Sequence, residues 1–440
     1  MIWAYRFFFI PLLLFLLPRY LLRMKKRGGY REGFLTRFGR IDGLPAKQLG
    51  VRRVWIQAVS VGEIFGVMPI VRALAARPDF EVFLTTTTST GYALARERYR
   101  EHLIGLAYFP LDFQPCSRRA WNRIQPDLCL LMESELWPEH LHQAAARRVP
   151  LLLINGRISD RSFGRLSALA FLTPRLLKKF SRILTASEED AKRFTELGAP
   201  DGTVEVSGNL KFDVKLDPIL NDEHKQTLLR ELGLYGEPAG SPAPVLLLGS
   251  STWPGEEETL LRVLARARDT GIDCRLLLVP RHMERRAEIR RTLEAFPFRH
   301  HFRSEGAAPE GVDVAVADTT GELLILTQLA DLVFVGKSLP PNQGGQTPIE
   351  AAAFGKPLLY GPHMSNFRVI ARQLVDNGAA LVVGDETDLI EQALPLLADK
   401  EKRAAMAARS REWHAANRGA VQKTLQAIET VLTGEPTPRT

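Results

Sequence analysis

The feature that most constrains this chain is a repeated alternation of short, β-rich apolar runs with amphipathic helical stretches. From Val54 onward, the first half reads as strands at Val54–Ala58, Glu81–Thr86, Ile104–Phe109, Asp127–Met132, Leu151–Asn155 and Arg182–Ala186. Helical segments such as Ile64–Ala76, Tyr92–Arg100 and Pro138–Arg147 lie between them. Runs such as LCLLM (Leu128–Met132) and LLLI (Leu151–Ile154) are apolar at successive positions, which suits a parallel strand covered on both faces. This is the pattern of a doubly wound α/β fold. Between Gly208 and Pro244 the sequence turns polar and ends in a Gly- and Pro-rich stretch, which reads as a linker. The pattern then restarts with Val245–Leu248, Arg275–Val279, Val312–Ala317, Leu332–Val335, Pro357–Tyr360 and Ala380–Val383. A chain of 440 residues is too long for one ordinary core.

The expected organisation is therefore an N-terminal segment (1–27), a Rossmann-like domain (28–207), a linker (208–244) and a second Rossmann-like domain (245–440). The stretch from Glu401 to Leu432 is helical by composition, and a crossing back onto the first domain is left open. Two such halves predict a cleft between them, with ligands gathered at the C-terminal ends of the strands.

The N-terminal segment is of a different kind. Phe7 to Leu17 (FFFIPLLLFLL) is apolar, and Arg19, Arg23, Lys25, Lys26 and Arg27 follow it. A spanning helix needs about 20 apolar residues, so only Met1–Leu22 taken whole would reach across. A cleaved signal peptide would carry its charge before the apolar run and a small-residue site after it. The expectation is a membrane-associated helix, spanning or dipping, with the body on the cytoplasmic side by the positive-inside rule. The net charge of +8 fits an anionic membrane or substrate. No zinc-finger spacing or aromatic RNA-binding strand accompanies it, so nucleic acid is not an expected partner. Three widely spaced cysteines give neither a disulfide framework nor a Cys-rich zinc site.

Several segments carry candidate chemistry. In Gly336–Pro362 (GKSLPPNQGGQTPIEAAAFGKPLLYGP) a strand leads to Gly344 and Gly345, and a helix begins near Pro348. Glycines let a ligand approach the backbone, and a helix start offers N–H groups to a phosphate. Glu350, one turn in, is either a ribose acceptor or a carboxylate favoured by the helix dipole. Ser60 and Gly62, with Glu63, sit in a strand-to-helix turn that can bind an acceptor phosphate or hydroxyl, cap the helix, or do both. Glu133 and Glu135 close an apolar strand at its C-terminal end, where such sheets carry their sites. Arg281 and His282 follow another strand, and an arginine there suits a phosphate or an acid sugar.

The pattern GGxxPxEAxxxGxP resembles the nucleotide-sugar half of two-Rossmann (GT-B) glycosyltransferases. SVGE (Ser60–Glu63), TTTTSTG (Thr85–Gly91), MESELWP (Met132–Pro138), NGRISDRS (Asn155–Ser162), GNLKFD (Gly208–Asp213), SSTWPGEEE (Ser250–Glu258), VPRHMER (Val279–Arg285), DTTGEL (Asp318–Leu323) and GPHMSNF (Gly361–Phe367) are similar to segments of the Kdo transferase family. Kdo is 3-deoxy-D-manno-octulosonic acid. The resemblance runs in order from about Tyr30 to Glu412.

It implies an inverting transferase that moves Kdo from CMP-Kdo to the lipid A precursor (lipid IVA) in lipopolysaccharide biosynthesis, at the cytoplasmic face of the inner membrane. The implied donor contacts are Lys211, Ser250, Arg281, His282, Gly344, Gly345, Glu350 and Asn366, with Ser60, Gly62 and Glu63 toward the acceptor. The family's base is a glutamate in a Glu-Arg-x-Gly run, but this chain reads LTRFG, with Thr36 before Arg37. Glu32, one helical turn earlier, is the first candidate for that role, followed by Glu133 and Glu135. No cofactor or metal is called for: no DxD-like triad is present and the nine histidines are scattered. Competing readings are a UDP-sugar-dependent transferase or epimerase, and a membrane-tethered nucleotide-binding protein without catalysis.

Overall fold

The computed structural model describes residues 2–11, 33–235 and 243–434. They fall into two compact units: Met1–Lys215 with Asn417–Thr440, and Leu216–Ala416. Each unit holds one parallel seven-stranded sheet.

In the first unit the strands are β1 (Arg52–Gln57), β2 (Phe80–Thr86), β3 (Gly105–Tyr108), β4 (Leu128–Met132), β5 (Leu151–Gly156), β6 (Arg182–Thr185) and β7 (Val204–Val206). Their order is β3-β2-β1-β4-β5-β6-β7. Alternate residues enter opposite cores, as a period of two requires. Val54, Ile56, Leu128, Leu130 and Met132 pack with Ile64 and Val67 of the helix Val61–Ala75. Trp55, Cys129 and Leu131 face the other way, toward Trp121 and Leu141 of the helices Gln114–Ile124 and Pro138–Ala146. Burial of each large side chain contributes about 1.5–3 kcal/mol, and both faces of β4 are fully used. That is why LCLLM carries no polar residue.

The second unit repeats the design with β8 (Val245–Thr252), β9 (Cys274–Pro280), β10 (His300–Phe302), β11 (Val314–Val316), β12 (Leu332–Val335), β13 (Leu358–Tyr360) and β14 (Ala380–Val382). The order is β10-β11-β9-β8-β12-β13-β14. Connections change direction at β1/β4 in one unit and at β8/β12 in the other. These are the switch points beside which ligands bind in such sheets.

Two segments fall differently from the sequence expectation. Within the expected linker, Asn221 caps a helix, Asp222–Glu231, by accepting the His224 N–H at 2.8 Å. That helix belongs to the second unit, where Ala308 N–H reaches the Glu231 carbonyl at 3.0 Å. The C-terminal stretch divides into Lys400–Ala416, in the second unit, and Ala420–Thr433, in the first. The latter buries Ala420, Ala427 and Ile428 in the first core. Asp213 fixes its start by accepting the N–H groups of Gly419 (2.8 Å) and Val421 (2.7 Å).

Residues 2–11 form a helix on the first unit. Tyr5 Oη donates to Asp112 Oδ2 at 2.6 Å, Arg6 pairs with both oxygens of Glu139 at 2.8 Å, and Phe9 stacks on Phe113. Trp3, Phe7, Phe8 and Ile10 point outward and are exposed. Among the described residues no helix is long and apolar enough to cross a membrane. Most of the apolar run and the basic residues Arg19–Arg27 lie outside the described residues.

Candidate active site

In the first unit, β1 and β4 deliver their following loops side by side. Ser60 ends the β1 loop and caps the helix Val61–Ala75 by accepting the Glu63 N–H. Glu63 reaches back: Oε2 accepts the Val59 N–H at 2.8 Å and Oε1 takes the Ser60 hydroxyl at 3.0 Å. This reciprocal pattern is a capping box. The capping reading of Ser60 and Glu63 therefore holds. The amides of Val61 and Gly62 precede the intrahelical ladder.

Glu63 is more than a cap, because two further carboxylates face it. Burial, and then the Glu133 charge, push Glu63 up to about 7, against the hydrogen bonds from Val59 and Ser60. Burial likewise pushes Glu135 up to about 7, against hydrogen bonds from Trp137 and Gln57. Trp137 Nε1 donates to Glu135 at 2.5 Å. Gln57 ends β1, where the Thr85 hydroxyl bonds its side chain at 2.7 Å. Glu133 adopts φ 56°, a left-handed conformation costly for a side chain with a Cβ. Its N–H is tied to Ile154 of β5 at 3.0 Å, and its carboxylate lies 3.9 Å from Arg157. Strain of this kind persists where surrounding structure imposes it, commonly at functional sites.

Lys211, expected among the donor contacts, lies in this first unit. The chain at Leu210–Asp213 is anchored by Asn155, whose Oδ1 accepts the Leu210 N–H at 3.1 Å. Lys211 Nζ then lies 3.8 Å from where a Cβ on Gly62 would sit. Thr36 is built into the backbone: its hydroxyl donates to the Gly33 carbonyl at 2.6 Å and accepts the Tyr108 N–H at 3.0 Å. Glu32 lies outside the described residues.

In the second unit, the loops after β8 and β12 are locked together by a residue that the sequence reading did not single out. Glu256, 1% exposed, accepts the N–H groups of Trp253 and Lys337 (both 2.8 Å), Ser338 (2.9 Å) and Leu339 (3.2 Å). Burial raises its pKa in spite of these bonds. Ser250, within β8, is buried, and its carbonyl accepts the Gly336 N–H at 2.8 Å.

The glycine pair does not offer its amides to a ligand. Gly344 N–H donates to the His363 carbonyl at 3.0 Å and Gly345 N–H to the Lys337 carbonyl at 2.9 Å. What the pair supplies is close approach, since the side chains of Asn366 and Met364 pack where Cβ atoms would stand. Gly344 (φ 110°) has Asn366 Nδ2 2.7 Å and Lys337 Nζ 3.6 Å from its missing Cβ. Lys337 Nζ lies 4.5 Å above the Trp253 ring, which meets His282 edge-on at 5.0 Å. His282 Nδ1 is 3.1 Å from Glu284.

Arg281 is exposed at the end of β9, its N–H tied to Thr252 at 3.1 Å. Glu350 accepts the Thr347 hydroxyl at 2.8 Å, in a helix of five residues. Asp318 and Glu322 are engaged with Ser304 and Arg303. A cavity of about 570 Å³ opens beside this turn, lined by Gln343, Tyr360, His363, Met364, Arg368 and Arg372 among others. Among the described residues no cluster of His, Cys, Asp and Glu could hold a metal ion.

The family model of 3-deoxy-D-manno-octulosonic-acid transferase (kdotransferase) matches residues 32–214. A 3-deoxy-D-manno-octulosonic acid transferase of Bordetella pertussis is 36% identical, over 92% of this chain and 94% of its own length. The chain belongs to the Kdo transferase family. A second member, from Haemophilus influenzae, is 32% identical over 97% of this chain and 99% of its own. A glycosyltransferase structure from Rickettsia africae has the same fold, with a TM-score of 0.62 at 12% identity, over 88% of this chain and 100% of that one.

The chain is thus a glycosyltransferase of the Kdo-transferring kind, acting in lipopolysaccharide core biosynthesis. Within this family, the carboxylates of the first unit and the Lys337–Asn366 corner of the second are the two chemically distinct places the geometry builds.

Proposed function

We propose that this Kdo transferase takes Kdo from CMP-Kdo, held by the second unit, and joins it to a hydroxyl of the lipid A precursor (lipid IVA), held by the first. The observation that carries the reading is the Glu63–Glu133–Glu135 group at the β1/β4 switch point, with two members raised to about 7. A general base works best with a pKa near the working pH.

Glu135 is the proton acceptor. Glu63 already has both oxygens engaged in its cap, and Glu133 stays half-exposed beside Arg157. Glu135 takes the proton of the acceptor hydroxyl as that oxygen forms its bond to the anomeric carbon of Kdo. The bond from that carbon to the phosphate oxygen breaks, and CMP leaves with the electron pair. One displacement inverts the anomeric centre. Lys211 and the amides of Val61 and Gly62 suit an anionic group of the acceptor. Arg281, Glu350 and Asn366 serve the nucleotide-sugar.

The test is incubation of the protein with CMP-Kdo and lipid IVA, with UDP-sugars in parallel. Mass spectrometry should find Kdo added to the lipid only from CMP-Kdo. Product from a UDP-sugar alone would assign a different donor.

The reading includes attachment at the cytoplasmic face of the inner membrane, supported by the exposed apolar side chains of residues 2–11 and the basic run that follows in sequence. Deleting residues 1–22 should release it from membranes. Sedimentation with membranes that survives both this deletion and high salt would move the attachment elsewhere.

A further inference from the structure

We propose that Lys337 is the phosphate-binding residue of the second unit, a role first read for the Gly344–Gly345 turn and Arg281. The inference rests on the reading of this unit as the nucleotide-sugar half, and it deepens that reading. The ligand class is a nucleoside 5′-monophosphate, or the monophosphate end of a nucleotide-sugar.

The turn itself leaves the role vacant. Its amides at Gly344, Gly345 and Gln346 donate to His363, Lys337 and Gly336. The helix that follows is only five residues long. An anion arriving at this corner finds these three amides already engaged, and a cationic side chain is the group that can offset its charge.

Lys337 meets the requirement in three ways. It occupies the first loop positions after β12, on the switch-point side of the sheet. It adopts φ 60°, a left-handed conformation that a lysine takes only when held there. The holding groups are Glu256, which accepts its N–H at 2.8 Å, and Gly345, which donates to its carbonyl at 2.9 Å. The residue is half-buried, and its ammonium lies 4.5 Å over the Trp253 ring. No carboxylate is paired with it among the described residues, so its charge is available to a ligand. Asn366 Nδ2 lies on the same missing Cβ of Gly344, at 2.7 Å against 3.6 Å for Lys337 Nζ.

A cation resting on an aromatic face is partly desolvated and directed. A phosphate arriving beside Gly344 would meet the Lys337 ammonium, which lies 3.6 Å from the missing Cβ. As the sugar–phosphate bond breaks, the charge developing on the leaving phosphate falls beside the ammonium, which stabilises it. Glycine at position 344 is required for this corner, because a Cβ there would collide with the Asn366 amide at 2.7 Å and the φ of 110° suits only glycine.

The test compares CMP with cytidine by isothermal titration, since the pair differs only in the phosphate. In the full-length protein CMP should bind far more tightly than cytidine. Lys337→Ala should weaken CMP binding at least tenfold and leave cytidine unchanged, and Lys337→Arg should recover part of the loss. Lys337→Gly relieves the left-handed strain, so it should melt no lower than the unsubstituted protein and still lose CMP affinity. That combination separates ligand binding from folding. Trp253 fluorescence should respond to CMP in the unsubstituted protein and much less in Lys337→Ala.

Equal CMP affinity before and after Lys337→Gly would overturn the assignment and leave the nucleotide-sugar reading standing. If the unsubstituted protein fails to bind CMP but binds another nucleotide, the donor reading falls. The same comparison with that nucleotide and its nucleoside then decides on Lys337. Binding of no nucleotide at all would overturn both.

Discussion

The two units share one sheet design, yet their switch points are chemically opposite. The loops after β1 and β4 gather Glu63, Glu133 and Glu135, whereas those after β8 and β12 bring Trp253 and Lys337 together, with His282 from the loop after β9 against Trp253 and Asn366 from the loop after β13 at Gly344. A hydrogen-bonded glutamate in each unit marks the contrast. Glu256 accepts four backbone N–H groups and serves as a clamp. Glu135 accepts two side-chain donors and keeps a pKa of about 7, which leaves it a proton acceptor near neutral pH. The same side chain beside a switch point is a clamp in one unit and the proposed proton acceptor in the other. What differs is how many donors surround it.

The sharpest way to break the contrast is at Glu135. Glu135→Gln should lower turnover by roughly a hundredfold or more, as for loss of a general base, while CMP affinity stays unchanged. Glu32→Gln is the necessary companion, because residue 32 belongs to the stretch from which this family draws its base. If Glu32→Gln abolishes turnover and Glu135→Gln does not, proton transfer belongs to that stretch and Glu133 and Glu135 only orient the acceptor.

A smaller effect is expected in the second unit. Glu350→Ala should weaken CMP binding by about 1–3 kcal/mol if its carboxylate holds the ribose. Unchanged affinity, measured by titration, would reduce Glu350 to a partner of Thr347.

The smallest effect concerns stability. Glu63 is raised to about 7 in the folded protein, so the stability it lends is present below its unfolded value and lost as pH rises through about 7. The melting temperature should therefore fall less from about pH 5 to about pH 8 in Glu63→Gln than in the unsubstituted protein. Equal slopes would mean that Glu63 does not carry the proton.

The sheets were legible because their strands are buried on both faces and so read as uninterrupted apolar runs. β7 (VEV) and β10 (HHF) escaped notice as short, partly polar edge strands. The return of residues 420–433 to the first core rests on Ala420, Ala427 and Ile428, with Val421, Leu425, Val431 and Leu432 packed beside them, in a helix whose composition does not name its partner. The candidate site was legible in its acids, since Glu133 and Glu135 interrupt an apolar pattern. Lys211 was expected among the donor contacts, and its place beside Gly62 and Gly66 was not legible because position in sequence does not reveal the packing of 210–213. Lys337 went unread because a left-handed lysine has no sequence signature, and Glu256 because a helix-start glutamate looks like an ordinary response to the dipole.

The central claim is that a carboxylate of the first unit, with a pKa near 7, takes the acceptor proton. The pH dependence of turnover, at saturating CMP-Kdo and lipid acceptor, tests it most directly. Turnover should rise through an inflection near 7 as Glu135 ionises, and that inflection should vanish in Glu135→Gln, leaving a low, flat profile. An inflection that survives in Glu135→Gln at full amplitude would contradict the account.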